Sequence, residues 1–268
     1  MEIIHPNGLD EALVAVADGM TPLAGGTDLM VEVNYGHQRP ERVVALRRLD
    51  DIADFHPTRI GAGVRWRRIE REGPRALAQA ARTVGSPQIR NAGTIGGNVA
   101  TASPAGDGLP FLAAVDASIE LASSSGRRLL PWDEYFVGVK KTARRTDELV
   151  TAILLPDELP ERQEFAKVGV RNAMVISTVC CVVTRRDDGT TTVALGSVAP
   201  TPMRARRAEA MISTESSPTE AALAEFARLV SEEVTPISDH RSTEAYRRHA
   251  AGVLARRLLE RCLRREAA

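Results

Sequence analysis

RNAGTIGGNVATASPAGDGLP, residues 90–110, is the stretch from which the rest of the chain can be read. In 21 residues it holds five glycines, two prolines and no aromatic side chain, and its only charges are Arg90 and Asp107. A backbone this bare either lies slack on the surface or must approach something closely. A slack loop would carry more charge and would not alternate small apolar with small polar residues. Here Ile95, Val99 and Ala100 are spaced to anchor inward, which would leave Thr94 and the glycines Gly93, Gly96 and Gly97 to face a ligand. Thr101–Asp107 adds hydroxyls and a carboxylate. The expectation is a rigid, tightly wound binding loop, followed by a compact helix around Leu109–Ala114.

A second bare stretch, PLAGGTDLM, covers residues 22–30. A short strand runs into Gly25 and Gly26 and then into a helix start, with Thr27 as the expected cap and Asp28 suited to the positive helix end. Backbone N–H groups aimed at one point in this way bind phosphate. On its residues alone the stretch fits a tight strand-to-helix turn equally well. It is neither GxGxxG nor GxxxxGK[ST], so a dinucleotide Rossmann site and a P-loop are excluded.

Around these stretches the pattern is mixed. Leu9, Ala12, Leu13 and Val16 recur at helical spacing after Asn7, a fair cap. Residues 42–46 and 58–63 read as strands. Residues 66–84 read as a helix interrupted at Gly73-Pro74. Strands are expected at 117–123 and 148–156, with a hairpin return and short helix between them. From Glu164 onward the sequence gives strands around EFAKVG, VISTVCCVVTRR and TTTVALG, the last two joined across DDGT. Helices are expected at 204–212, 218–232 and 242–264. The layout is α+β, with a seam at 156–164.

Composition narrows the function. The chain has 268 residues, 43% hydrophobic and 26% charged, with 35 basic residues balancing 35 acidic ones. No global field recruits nucleic acid or an anionic membrane. Only Lys140, Lys141 and Lys167 are lysines; every other basic residue is arginine. Cys180, Cys181 and Cys262 form no CxxC pair, which excludes a thiolate zinc site or an iron–sulfur cluster held by this chain alone. They fit a reducing cytoplasm. Met1–Leu13 has no basic start followed by an apolar run, so a signal peptide is not expected, and no window approaches the ~20 apolar residues of a membrane helix. The five histidines are scattered, and none is marked as a catalytic base. The basic C-terminal run, Arg247, Arg248, Arg256, Arg257, Arg261, Arg264 and Arg265, is expected to be a solvated helix face, with a docking face as the alternative; Leu254, Leu258 and Cys262 form its buried stripe.

Three motifs in order, LAGGTDLM, IRNAGTIGGNVATASPAGDGLP and FAKVGVRNAMVIS, resemble the FAD-binding medium subunit of the molybdenum hydroxylases, the group of xanthine dehydrogenase and carbon monoxide dehydrogenase. The resemblance runs over nearly the whole chain. It implies an FAD-binding module of the vanillyl-alcohol-oxidase type, residues 1–160, with a small lobe at about 1–55 and a larger lobe at about 56–160. A C-terminal antiparallel-sheet-plus-helices domain follows at 161–268. It implies cofactor contacts from Pro22, Leu23, Ala24, Gly25, Gly26, Thr27, Asp28 and Leu29, and from Ile89, Gly93, Thr94, Ile95, Gly96, Gly97 and Asn98. Asp107 would bond the cofactor's polar atoms, Leu149 and Val150 would pack on it, and Lys167 would lie near the flavin ring. Where some family members have an aromatic residue upstream of the second motif, this chain has Val84.

The function so implied is that of a flavin electron-transfer subunit. A large subunit with the molybdenum cofactor oxidises substrate, a small subunit carries 2Fe–2S clusters, and FAD passes the electrons to a soluble acceptor such as NAD⁺, a quinone or O₂. No side-chain catalyst and no metal ligand is expected in this chain. The alternatives are a free-standing FAD oxidoreductase acting on a small substrate, for which 4% aromatic residues is thin, and a non-catalytic nucleotide-binding or assembly protein.

Overall fold

Leu9, Ala12, Leu13 and Val16 are buried as their helical spacing requires, and they place Leu9–Ala17 (α1) against a three-stranded parallel sheet. That sheet is Glu2–Ile4 (β1), Thr21–Leu23 (β2) and Arg42–Ala45 (β3), with β3 central. The cap of α1 is Gly8 rather than Asn7, whose N–H and side-chain amide both donate to Glu11 at 2.8 and 2.9 Å. Leu29–Asn34 (α2) links β2 to β3 and contains no buried residue. Its cap is Asp28, one residue later than expected, and neither Thr27 nor Asp28 caps it through the side chain. The computed structural model describes residues 1–171 and 174–264. Asn172 and Ala173 of the third motif and Arg265 of the basic run lie outside the described residues.

The larger lobe is built on a five-stranded antiparallel sheet. Its strands are Phe55–His56 (β4), Arg59–Gly61 (β5), Ser118–Ser123 (β6), Gly126–Pro131 (β7) and, after a separate two-stranded hairpin of Phe136–Gly138 (β8) and Lys141–Thr142 (β9), Leu149–Leu154 (β10). The order is β4-β5-β10-β6-β7. Trp66–Glu72 (α3) and Arg75–Thr83 (α4) are separated at Gly73-Pro74, as the sequence predicts. Leu109–Ala114 and Trp132–Tyr135 are also helical.

The wound loop expected from Arg90 onward is largely helical as far as Thr101 instead. Pro87–Ala92 (α5) and Ile95–Thr101 (α6) occupy it, and Leu109–Ala114 (α7) and Trp132–Tyr135 (α8) follow. Ser86 caps α5 by accepting from the Ile89 N–H, with Pro87 in the first turn. Thr94 caps α6 by accepting from the Gly97 N–H at 3.1 Å. Glycine costs a helix ~1 kcal/mol relative to alanine, but here tertiary contact overrides it. A Cβ on Gly96 would lie 2.4 Å from the Cβ of Ala62, so the missing side chain lets α6 seat against the chain leaving β5. The helix ends at Ala102, whose φ of 47° is left-handed.

The C-terminal part is an antiparallel sheet of Arg162–Val168 (β11), Val179–Arg185 (β12), Thr191–Gly196 (β13) and Met203–Arg204 (β14). Arg206–Ser213 (α9), Glu220–Glu233 (α10) and Glu244–Arg264 (α11) cover one face. Strand alternation sends Val179, Cys181 and Val183 into the core shared with these helices, and Cys180 and Val182 into the core of the larger lobe. The two adjacent cysteines therefore point to opposite sides of the sheet. Burial pushes both thiols up. The basic C-terminal run is not one solvated face: Arg247 is buried and donates to the carbonyls of Thr178 and Ser197 at 2.7 and 2.8 Å.

Candidate functional site

The two bare stretches touch. A Cβ on Gly25 would sit 2.1 Å from the carbonyl oxygen of Ala92 and 2.8 Å from Cα of Gly93, and one on Gly93 would lie 3.1 Å from Thr27 Oγ1. Thr101 Oγ1 donates across to Asp28 Oδ2 at 3.1 Å. Beside this junction opens a cleft of about 560 Å³, within the usual size for a ligand pocket. Its walls include every residue from Pro22 to Leu29, together with Ile89, Gly93, Thr94, Gly96, Gly97, Asn98, Leu149 and Val150. Ile95 is not among them; it is buried in the core of the larger lobe.

The two stretches differ in what they offer a ligand. At the start of α6 the donors are already used: Ile95 N–H goes to Val64 O at 3.0 Å, Gly96 N–H to Ala62 O at 2.9 Å and Gly97 N–H to the Thr94 hydroxyl. Among the described residues no acceptor meets the five consecutive N–H groups from Gly25 to Leu29. Gly26 is left-handed, with φ of 71°, a value that costs glycine nothing and that recurs where successive N–H groups form an anion-binding concavity. Asn98, also on the cleft wall, has its Oδ1 buried without a hydrogen-bond partner. A buried amide oxygen with no donor is costly and calls for a missing one. A Cβ on Gly97 would meet only Thr94 Oγ1, at 3.2 Å, so the space over α6 is open. Five unpartnered backbone donors and one unpartnered amide acceptor thus line the same cleft, a set that fits a large polar ligand.

Asp107 and Lys167 lie outside the cleft lining and pair with each other. Lys167 Nζ is 2.6 Å from Asp107 Oδ2 and also donates to Val175 O at 3.0 Å and Thr83 O at 3.3 Å. Asp107 accepts further from Ser177 Oγ at 2.5 Å and Thr83 Oγ1 at 2.9 Å. This buried network joins α4, the end of the bare stretch, β11 and the chain before β12. It adjoins the cleft through Thr83, whose neighbour Val84 is part of the wall.

Several wall residues carried no signal in the sequence. Trp66, buried at the start of α3, is the aromatic residue among those lining the cleft. Glu32, Gln38, Lys140 and Arg144 form a polar end. His37 and Lys140 hold the Glu32 carboxyl below the usual carboxylate range. The scarcity of lysine was the one pointer available to Lys140.

Comparison with known proteins accounts for this geometry. Residues 1–158 match the profile of the FAD binding domain in molybdopterin dehydrogenase, and residues 164–262 that of the CO dehydrogenase flavoprotein C-terminal domain. The FAD-subunit of nicotinate dehydrogenase from Eubacterium barkeri is 35% identical over 66% of this chain and 66% of its own length. The medium chain of glyceraldehyde dehydrogenase from Sulfolobus acidocaldarius is 30% identical over 94% of both. A solved chain of carbon monoxide dehydrogenase from Hydrogenophaga pseudoflava superposes with a TM-score of 0.89 at 27% identity, covering 99% of this chain and 98% of that one. With bare turns that meet, free backbone donors beside them and this fold around both, the chain belongs to the FAD-binding medium subunits of the molybdenum hydroxylases, a family of flavin-dependent oxidoreductases.

Proposed function

We propose that this chain is the electron-transfer subunit of a three-component cytoplasmic molybdenum hydroxylase. It takes electrons from the 2Fe–2S clusters of a small partner, after a molybdenum-bearing large partner has oxidised the substrate, and delivers them through FAD to a soluble acceptor such as NAD⁺, a quinone or O₂. The observation that carries the reading is the row of unpartnered N–H groups at Gly25–Leu29 in the same cleft as the buried, unpaired Asn98 Oδ1. The three cysteines, buried and not joined in disulfides, suit a reducing compartment.

Bound FAD supplies the exchange of single electrons for a pair, which no side chain here can perform. The residues hold it. The Gly25–Leu29 amides would take the diphosphate, and Asn98 Oδ1 would accept from a ribityl or ribose hydroxyl. Leu149, Val150, Val84 and Ile89 would press apolar surface on the rings and exclude water. Asp107 and Lys167 would act from behind, fixing Thr83 and the chain at 175–177 so that Val84 stays in place.

The test is to produce the chain with and without its two partner chains. The expected result is one FAD per chain, with Trp66 fluorescence quenched on flavin addition to stripped protein, and flavin reduction by the hydroxylase substrate only in the complete assembly. Flavin reduction by a small substrate with the isolated chain would instead establish the free-standing oxidoreductase.

A further inference from the structure

We propose that the β8–β9 hairpin and helix α2 together form the surface on which the electron-delivering partner docks, and that the partner presents an acidic rim around an apolar centre. This rests on the reading of the chain as an electron-transfer subunit. The hairpin belongs to no larger sheet, and an isolated two-stranded hairpin is marginal in water. Its tip nevertheless exposes Val137 and Val139, 58% and 57% accessible. Lys140 at the turn takes a left-handed φ of 51°, a conformation that a long side chain adopts only when its surroundings hold it. The holds are visible: Lys140 N–H donates to Ala102 O at 3.2 Å, and Lys140 Nζ pairs with Glu32 Oε1 of α2 at 3.1 Å. The bridge brings the hairpin tip to a helix that has no buried residue and exposes Val31 and Tyr35. Phe136 anchors the hairpin in the core of the larger lobe, while Val137, Val139, Val31 and Tyr35 are held side by side on the outside.

The hairpin and the segment that follows it carry charge of one sign. From Tyr135 to Thr146 the chain carries Lys140, Lys141, Arg144 and Arg145 and no acidic residue. Two of the protein's three lysines fall here, and Lys141 and Arg145 are exposed. An apolar centre with a cationic border fits a protein partner of opposite border charge. The location suits electron delivery, because Glu32, Lys140 and Arg144 also wall the cleft: a chain seated on this patch sits at the edge of the flavin site.

The experiment uses the assembled complex, co-produced with its iron–sulfur and molybdenum chains. Compared with wild type are Val139→Asp, the charge reversal Lys141→Glu/Arg145→Glu, and Leu129→Asp, an exposed apolar residue on β7, which is not one of the two elements of the patch. Mass by light scattering and flavin per chain are read on each. The patch variants are expected to keep full flavin but leave the complex, with at least about tenfold weaker association, while Leu129→Asp stays assembled. The wild-type complex loosens as salt rises from about 0.05 to about 0.5 M, because exposed charges are screened. Patch variants that remain assembled with unchanged affinity would overturn the proposed surface. If the wild-type isolated chain is a dimer that Val139→Asp dissolves, the surface joins two copies and the partner assignment fails. If wild type never assembles with an iron–sulfur chain, the electron-transfer reading itself fails, a result distinct from loss of the patch alone.

Discussion

Glycines that look alike in the sequence separate once the space around each is known. Gly25 is held by backbone: any Cβ there collides with the Ala92 carbonyl, which no rotamer change relieves. Gly97 borders open space apart from one hydroxyl. Gly25→Ala should therefore lower stability by several kcal/mol, as overpacking against backbone does, and lose flavin as a consequence. Gly97→Val should leave apoprotein melting within ~1 kcal/mol of wild type while flavin per chain falls toward zero, because the branched side chain fills the cofactor's approach. Melting temperature and flavin absorbance, measured together, distinguish the two. A fully flavinated Gly97→Val protein would remove α6 from the site. The Asp107–Lys167 pair is testable on the same footing. Lys167→Met strands a carboxylate that is 7% exposed, and losing one partner of a buried pair costs about 3–5 kcal/mol. Lys167→Met/Asp107→Leu should recover much of that in urea denaturation, because no charge is left buried alone. At this scale the sequence showed which residues are bare or rare, and it could not show which glycine answers to protein and which to ligand.

Among the elements, those set by local pattern were legible and those set by distant contact were not. α1, α3, α4, α10 and α11 follow from apolar spacing and from Gly-Pro breaks. The helical state of Pro87–Thr101 was hidden, because glycine argues locally against a helix and the compensating contact, Gly96 on Ala62, joins residues more than thirty positions apart. The seating of α11 was equally hidden. Arg247 reads as one basic residue among seven, yet it is buried, with its guanidinium spanning Thr178 O, Ser197 O and Asp239 Oδ1. Burial pushes the Asp239 carboxyl up, but the N–H groups of Arg241 and Ser242 and the Arg247 guanidinium outweigh it and bring it down to about 2. A carboxylate held that low stabilises the fold fully above the ordinary carboxyl range and loses its contribution as pH falls through about 2. Asp239→Asn should thus lower stability at neutral pH by at most about 2 kcal/mol. The gap to wild type should narrow between roughly pH 4 and pH 2, as seen in urea midpoints measured across that range.

At the level of the whole molecule, the sequence showed a change of character near residue 160, and the structure shows how little that change separates. Phe165, Cys180, Val182 and Ala194 of the C-terminal sheet lie in the same buried cluster as Ile60, Phe111 and Ile119 of the larger lobe. The sheet has one face against α7 and α4 and the other against α9–α11, so neither half can keep its core without the other. Hydrophobic pattern reveals that a strand is buried on both sides, as VCCVV is, but not which layers lie on those sides. The consequence is one cooperative unit across the seam. Native probes divide cleanly between its halves: both tryptophans, Trp66 and Trp132, are in the larger lobe, and all three cysteines are in the C-terminal part. In urea, the loss of tryptophan fluorescence and the exposure of the Cys180, Cys181 and Cys262 thiols to a colorimetric reagent should share one midpoint, and residues 1–160 produced alone should aggregate through the uncovered faces of α4 and α7. Thiols that become reactive well before tryptophan emission shifts would mean the C-terminal sheet opens independently. The Lys167–Asp107 network, which spans the seam, would then be its hinge rather than its lock.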